Sequence, residues 1–191
     1  MAMELTGKIS FDERGHAYLY DAVILHNTDR ALWRNFSGGP TRFDKVGGKR
    51  FFTVLLSPEQ ARELAARGWK VQTYQPKDEN GNPDPTKEPT SRLEVTVNLK
   101  GKVPPDIQTS TNGNRVNLTE ATIKSLDSAR IAKASLMLNP YHWENNRGEH
   151  GISAYLLQGL FFIAPSFLDE QYNNFMAEND ESINEPLPFN D

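Results

Sequence analysis

The sequence lacks cysteine altogether and has no long apolar run. Because none of its 191 residues is a thiol, a disulfide framework and thiolate metal sites are excluded, and a reducing compartment is favoured. The first residues, M-A-M-E-L-T-G-K, lack the apolar segment of a signal peptide. The most apolar stretch, 154–164, is too short to cross a bilayer. We therefore expect a cytoplasmic protein with no membrane partner.

Basic residues are missing from the end of the chain. Residues 168–191 contain seven acids and neither Lys nor Arg, so that residues 1–167 hold 18 acids against 21 bases. The net charge of −4 therefore joins a mildly basic body to an acidic tail. Such asymmetry favours nucleic acid as the partner of the body. We predict a binding domain over 1–167 and an acidic tail over 168–191 with little to fold around.

The residue sets that an enzyme needs are also lacking. There is no G-x-S-x-G elbow, and Gly47-Gly48-Lys49-Arg50 fails as a phosphate-binding loop because Phe43 and Arg50 replace its first glycine and its Ser/Thr. The four histidines have no metal-ligand spacing, and the carboxylates of the body are scattered. We expect no catalytic residues, no metal and no cofactor.

What the chain does have is a Gly/Pro-rich stretch, 33–52, that alternates rings with cations. Its sequence is W-R-N-F-S-G-G-P-T-R-F-D-K-V-G-G-K-R-F-F. Rings that stack on bases and cations that neutralise phosphates suit a single strand. Composition leaves a second interpretation open, in which the charges are solvated and the phenylalanines turn into the core.

Hydrophobic patterning predicts about six strands and two short helices. The strands are 18–26, 50–56, 69–74, 92–99, 132–143 and 152–163, and the helices are 58–67, capped by Ser57, and 119–126. Residues 1–17 are predicted to be loose or an edge element, and 76–91 to be a mobile, exposed insert. We predict a mainly β fold, a five-stranded OB-type barrel with one or two short helices, long loops and a disordered acidic tail.

Twelve residues are candidate nucleic-acid contacts, each with an ordinary surface or core role as its alternative. The cations of the Gly/Pro-rich stretch are candidate phosphate contacts, and its Phe36 and Phe43 are candidate stacking residues. On the strand 69–74 the alternation places Lys70 and Tyr74 on one face, which we favour for binding, and turns Trp69 to the core. A weaker cluster lies near the turn at 145–148. The full set is Arg34, Phe36, Arg42, Phe43, Lys45, Lys49, Arg50, Lys70, Tyr74, Tyr141, Trp143 and Arg147.

The tail mixes acids with the apolar residues Ile183, Leu187 and Phe189. This pattern predicts a recognition peptide for another protein, against the alternative of an ordinary solvated end.

Several segments resemble bacteriophage single-stranded DNA-binding proteins of the OB-barrel type. They are R-N-F-S-G (34–38), R-F-D-K-V-G-G-K-R-F-F (42–52), E-L-A-A-R-G-W-K-V (63–71), L-E-V-T-V (93–97), N-P-Y-H-W (139–143) and G-I-S-A-Y-L (151–156). The resemblance covers most of 25–165. It implies DNA contacts at Arg34, Phe36, Arg42, Phe43, Lys49 and Arg50. The tail resembles the partner-docking tips of single-strand binders, except that Asn190 and Asp191 follow Phe189.

The leading hypothesis is sequence-independent binding of single-stranded DNA. The resemblance implies a non-catalytic protein that coats and protects DNA in replication, recombination and repair, in the host cytoplasm if phage-encoded. Its tail would contact replication or recombination proteins, and self-association is open. The alternatives are a protein-interaction or virion-structural module without nucleic-acid binding, and a strand-annealing recombination factor.

Overall fold

The computed structural model describes residues 7–182, and of Asn173 and 178–182 the backbone only. The strands are β1 (Lys8–Phe11), β2 (Ala17–Ile24), β3 (Arg34–Asn35), β4 (Phe51–Leu56), β5 (Gln72–Tyr74), β6 (Thr90–Thr96), β7 (Asp106–Thr111), β8 (Asn114–Asn117), β9 (Ile131–Glu144) and β10 (His150–Ile163). The helices are α1 (Pro58–Ala66), a 3-10 helix (Ile123–Asp127) and α2 (Phe167–Ser182).

Five strands close into a barrel in the order β6–β4–β2–β9–β10. Neighbours are antiparallel except at the closure, where Ala154 and Tyr155 of β10 pair in parallel with Val95 and Thr96 of β6. The predicted five-stranded barrel and mainly β class are confirmed. Outside the barrel, β5 extends one edge of the sheet and the hairpin β7–β8 extends the other.

The core lies inside this barrel and follows the predicted alternation. Phe52, Val54 and Leu56 of β4 face Leu93 and Val95 of β6, and all five are buried. The 3-10 helix adds its own buried side chains, Ile123 and Leu126.

Helix α1 begins as predicted. The Ser57 hydroxyl accepts a hydrogen bond from the Gln60 backbone N–H (3.2 Å), and the Gln60 side chain accepts one from the Ser57 N–H (3.0 Å). This capping box satisfies two backbone donors that the first turn leaves free.

Several local predictions differ from the structure. The strand predicted over 69–74 shortens to β5, because Trp69 instead forms a bridge to Ile152 and is buried, as predicted for its ring. The helix predicted over 119–126 is the 3-10 helix. The acidic tail, predicted over 168–191 to lack structure, is helical over its first part, because α2 spans Phe167–Ser182. The exposed apolar side chains of α2 include Leu168, Tyr172 and Met176, at one-turn spacing.

Candidate nucleic-acid interface

The base of the Gly/Pro-rich stretch is locked to the barrel by Arg34. Arg34 is 2% exposed, and its guanidinium donates to the carbonyls of Leu126 (2.9 Å) and Ala129 (3.0 Å) and contacts the His26 ring nitrogen. Burial lowers the pKa of Arg34, and the charge of Asp127 opposes that shift. The prediction that Arg34 contacts phosphate is wrong for this fold, because the side chain is buried and its Nη atoms bond inside the protein.

The prediction that Phe36 stacks on a base is also wrong. Its ring is 0% exposed, stacks on Phe52 (centroids 5.3 Å apart, planes at 15°) and meets Phe161 edge-on (5.7 Å, 89°). Its backbone N–H donates to the carboxylate of Asp127 (2.6 Å). A ring without accessible surface cannot stack on a base, so Phe36 belongs to the core.

The side chain of Arg50 also forms its contacts within the protein. Its Nε donates to the Phe36 carbonyl (3.1 Å), and its Nη2 lies 3.2 Å from Glu120. Because β4 alternates, the next residue, Phe51, points to the opposite face. Arg50 therefore lies apart from the surface described next, and we leave it out of the proposed interface.

The tip of the stretch is exposed, as predicted. Phe43 is 78% exposed, Arg42 lies 4.6 Å from its ring centroid, and Lys45 is exposed beside them. The tip is nevertheless ordered. Asp44 accepts hydrogen bonds from the backbone of Val46 and Gly47, and Gly47 has φ +76° where a Cβ would lie 2.9 Å from Pro40 N.

A row of side chains crosses the outside of the barrel from this tip. Phe51 of β4 pairs with Thr96 of β6, which pairs with Tyr155 of β10. The neighbours Phe52, Val95 and Ala154 are buried, so the row faces outward. Tyr141 of β9 continues it, with its ring 4.9 Å from that of Tyr155. We call Phe51, Thr96, Tyr155, Tyr141 and Trp143 the aromatic face.

Trp143 ends this row beside a predicted cation. It pairs with Gly151, where a Cβ would lie 2.8 Å from the indole, so that only glycine lets the ring rest there. Lys70 Nζ lies 6.0 Å from the indole centroid, and the Lys70 N–H donates to the Ile152 carbonyl (2.8 Å). Two candidate groups that the sequence left separate are therefore neighbours.

The two remaining predicted contacts lie farther out. Tyr74 is exposed on β5, opposite Thr90, and Arg147 is exposed at the tip of the β9–β10 hairpin. Between Tyr74 and the aromatic face, Arg92 stacks on Trp33 (4.4 Å).

Sequence reasoning missed Phe51, Tyr155 and Arg92. The alternation of the β6 segment had already set Arg92 outward. For Phe51, alternation alone could not decide between it and Phe52, and for Tyr155 the apolar run 152–163 hid the alternation.

Lys49 and Glu94 form an ion pair beside Phe51, at one end of the aromatic face. Lys49 Nζ lies 2.6 Å from Glu94 Oε1 and 5.2 Å from the Phe51 ring centroid. Both side chains are about half exposed. They border a cavity of about 290 Å³ between the loop tip and the barrel, lined by Leu32, Asn35, Thr41, Phe43, Asp44, Lys49, Phe51 and Glu94.

Among residues 7–182 no three His, Asp or Glu side chains come together as a group that could hold a metal ion. No helix in that part of the chain is long and apolar enough to cross a membrane.

A family model described as "Putative phage ssDNA-binding domain" matches residues 18–191. No curated protein matches significantly. The solved structure of the single-stranded DNA-binding protein from bacteriophage Enc34 in complex with single-stranded DNA is 12% identical, with 81% of this chain and 89% of that chain covered and a TM-score of 0.48. The C-terminally truncated form of that protein is 13% identical, with 81% of this chain and 88% of that chain covered and a TM-score of 0.45. Both TM-scores are below 0.5, so these two structures do not show the family. The family model does, because it spans most of the chain.

Proposed function

The chain belongs to the family of phage single-stranded DNA-binding domains whose model it matches over residues 18–191, and we propose that it binds the strand along the aromatic face. Binding of single-stranded DNA follows from the family. We propose the path of the strand, the residues that contact it, and the lack of sequence preference along most of that path.

The observation that carries this proposal is the continuity of the row. Phe51, Thr96, Tyr155 and Tyr141 lie on four adjacent strands. Because neighbouring strands lie about 4.8 Å apart, Phe51 and Tyr155 are separated by roughly 10 Å. Flat rings at that spacing can each receive a base, and stacking is sequence-tolerant because every base has a π-face.

Cations flank the row where phosphates would run. Arg42 and Lys45 stand at the loop tip, Lys49 beside Phe51, and Lys70 beside Trp143. Arg147, at the tip of the β9–β10 hairpin, would extend the path beyond Trp143, and Tyr74 would add a ring to one side of it. This arrangement supports a strand whose bases face the barrel and whose backbone faces solvent.

The test is a titration with oligo-dT over a salt series. If Arg42, Lys45, Lys49 and Lys70 each neutralise one phosphate, log K against log[salt] has a slope of about −3, at about −0.7 per phosphate for single strands. Binding should also quench the fluorescence of Trp143. An affinity that does not change with salt would contradict the proposal.

We infer that the biological role is to coat and protect transient single strands in replication, recombination and repair, in the host cytoplasm, without catalysis. Products from a nuclease assay with magnesium would contradict the non-catalytic role. Annealing of complementary strands faster than the uncatalysed rate would favour a recombination factor. A chain that shifts no oligonucleotide would favour a protein-interaction or virion-structural module.

We also infer that the acidic tail contacts replication or recombination proteins. The start of α2 carries Asp169 and Glu170 beside exposed Leu168 and Tyr172, a mixture typical of recognition helices. The predicted contacts Ile183, Leu187 and Phe189 lie outside the described residues and stay predictions. Pull-down of host or phage replication proteins by the full chain, and its loss on deleting 183–191, would test this. Self-association also stays a prediction, for sedimentation to test.

A further inference from the structure

The cavity at the loop tip has walls that suit one flat ring. Phe43 and Phe51 line it from the loop and from the barrel, and Leu32 adds an aliphatic side. Its volume of about 290 Å³ lies at the small end of ligand pockets, which run from about 300 to 1,000 Å³. It therefore fits one base better than a longer stretch of strand.

The polar side chains that line the cavity supply both donors and acceptors. Asn35 spends its amide N–H groups on the carbonyls of Gly39 (2.9 Å) and Lys49 (3.3 Å). The Thr41 hydroxyl oxygen accepts from the backbone of Asp44 (2.9 Å). Asn35 therefore keeps no free donor for a ligand, whereas the Thr41 O–H is not used by this contact and can still donate.

Glu94, like Asp44, has one carboxylate oxygen that accepts no hydrogen bond within residues 7–182. Its Oε1 accepts from Lys49 at 2.6 Å, and within residues 7–182 its Oε2 has no hydrogen-bond partner. Asp44 uses its Oδ1 on the backbone of Val46 and Gly47. A base entering the cavity would thus meet carboxylate oxygens, which can only accept hydrogen bonds, beside the Lys49 ammonium, which uses one of its three donors on Glu94.

The chemistry of the four bases makes this a selective environment. Cytosine, adenine and guanine each carry an exocyclic amine that can donate to a carboxylate, as cytosine N4 does in known contacts. Thymine and uracil carry a carbonyl where cytosine carries N4, which leaves the ring N3–H as their one donor, and a carbonyl oxygen facing Glu94 would place two acceptors in contact.

We propose that the cavity lined by Phe43, Phe51 and Glu94 is a base-reading subsite that favours amine-bearing bases over thymine and uracil. This inference rests on the proposed function and refines it. One position along an otherwise sequence-tolerant path selects bases, and Lys49 holds Glu94 in place while the site is empty.

The test compares oligo-dC with oligo-dU of equal length, since these pyrimidines have the same ring size and differ in the hydrogen-bonding groups of the ring edge. Affinities are measured by fluorescence anisotropy for the wild-type full chain, Glu94→Gln and Glu79→Gln. Glu79 is exposed in the insert 76–91 and gives the same change of charge away from the aromatic face.

The wild type should prefer dC, and Glu94→Gln should reduce the dC:dU affinity ratio by about three- to tenfold, because the amide can donate to the uracil carbonyl. The ratio for Glu79→Gln should match the wild type. A gain in affinity that comes from freeing Lys49 from Glu94 would apply to both oligonucleotides, so it cancels in the dC:dU ratio.

Two results would overturn the inference and leave the proposed function standing: a wild-type ratio near one, or equal tightening of both oligonucleotides in Glu94→Gln. A wild-type chain that binds neither oligonucleotide would instead overturn the proposed function itself.

Discussion

Phe36 and Phe43 should respond in opposite ways to truncation. They lie seven positions apart in one Gly/Pro-rich stretch, yet Phe36 is 0% and Phe43 78% exposed. Replacing a fully buried Phe by Ala costs about 3–5 kcal/mol. Since 1 kcal/mol moves the Tm of a domain of this size by about 2–4 °C, Phe36→Ala should lower the Tm by roughly 6–20 °C.

Phe43→Ala should leave stability unchanged and weaken DNA binding. Surface substitutions usually change the free energy of unfolding by less than about 0.5 kcal/mol. Loss of one stacked base costs about 1–3 kcal/mol, or about 5- to 150-fold in Kd. Val46→Ala is the matched control, because Val46 is 92% exposed at the same tip and carries no ring.

Both quantities can be measured on the same samples. Urea unfolding gives stability, and anisotropy with labelled oligo-dT gives affinity at a temperature where Phe36→Ala is folded. Folded Phe36→Ala should bind DNA almost as the wild type does. The reasoning fails if Phe36→Ala keeps its stability but loses affinity, or if Phe43→Ala binds oligo-dT as tightly as the wild type at low salt.

Four further changes test other parts of the structure. Arg34→Met should lower the free energy of unfolding by about 2 kcal/mol or more, because charged hydrogen bonds to the carbonyls of Leu126 and Ala129 are lost; unchanged urea midpoints would contradict this. Lys70→Met should reduce the magnitude of the salt slope by about 0.7 without altering stability, as the titration series can show. Tyr155→Ala should weaken oligo-dT binding by about 5-fold or more, and equal affinity would remove β10 from the path. Deleting 168–191 should tighten binding at low salt, because an acidic arm that competes for the cations is lost; unchanged affinity would mean that the tail does not occupy the face.

Elements with a strong local signal could be predicted from the sequence. The strand around Leu93 and Val95 shows clear alternation, and Ser57-Pro58-Glu59-Gln60 carries a complete capping box. Both depend only on neighbours in the chain, so the structure confirms them.

The hairpin β7–β8 had a signal that went unused. Asn112 and Gly113 both have positive φ (50° and 82°), which is the geometry of a type I′ turn. The Asn-Gly pair therefore marks the turn, but β8 is exposed along its whole length and has no apolar alternation to identify it as a strand.

Arg34 shows why the loop composition could not identify the DNA contacts. Sequence reasoning placed Arg34 on the surface, while alternation required either Phe51 or Phe52 to be core. In the structure β3 pairs with β4 so that Arg34 stands opposite Phe52 and Asn35 opposite Phe51. Directly opposed residues of an antiparallel pair share a face, so once Phe52 enters the core, Arg34 must turn inward with it. The missing information was the register of a two-residue strand, and the carbonyls that accept hydrogen bonds from Arg34 lie more than ninety residues away.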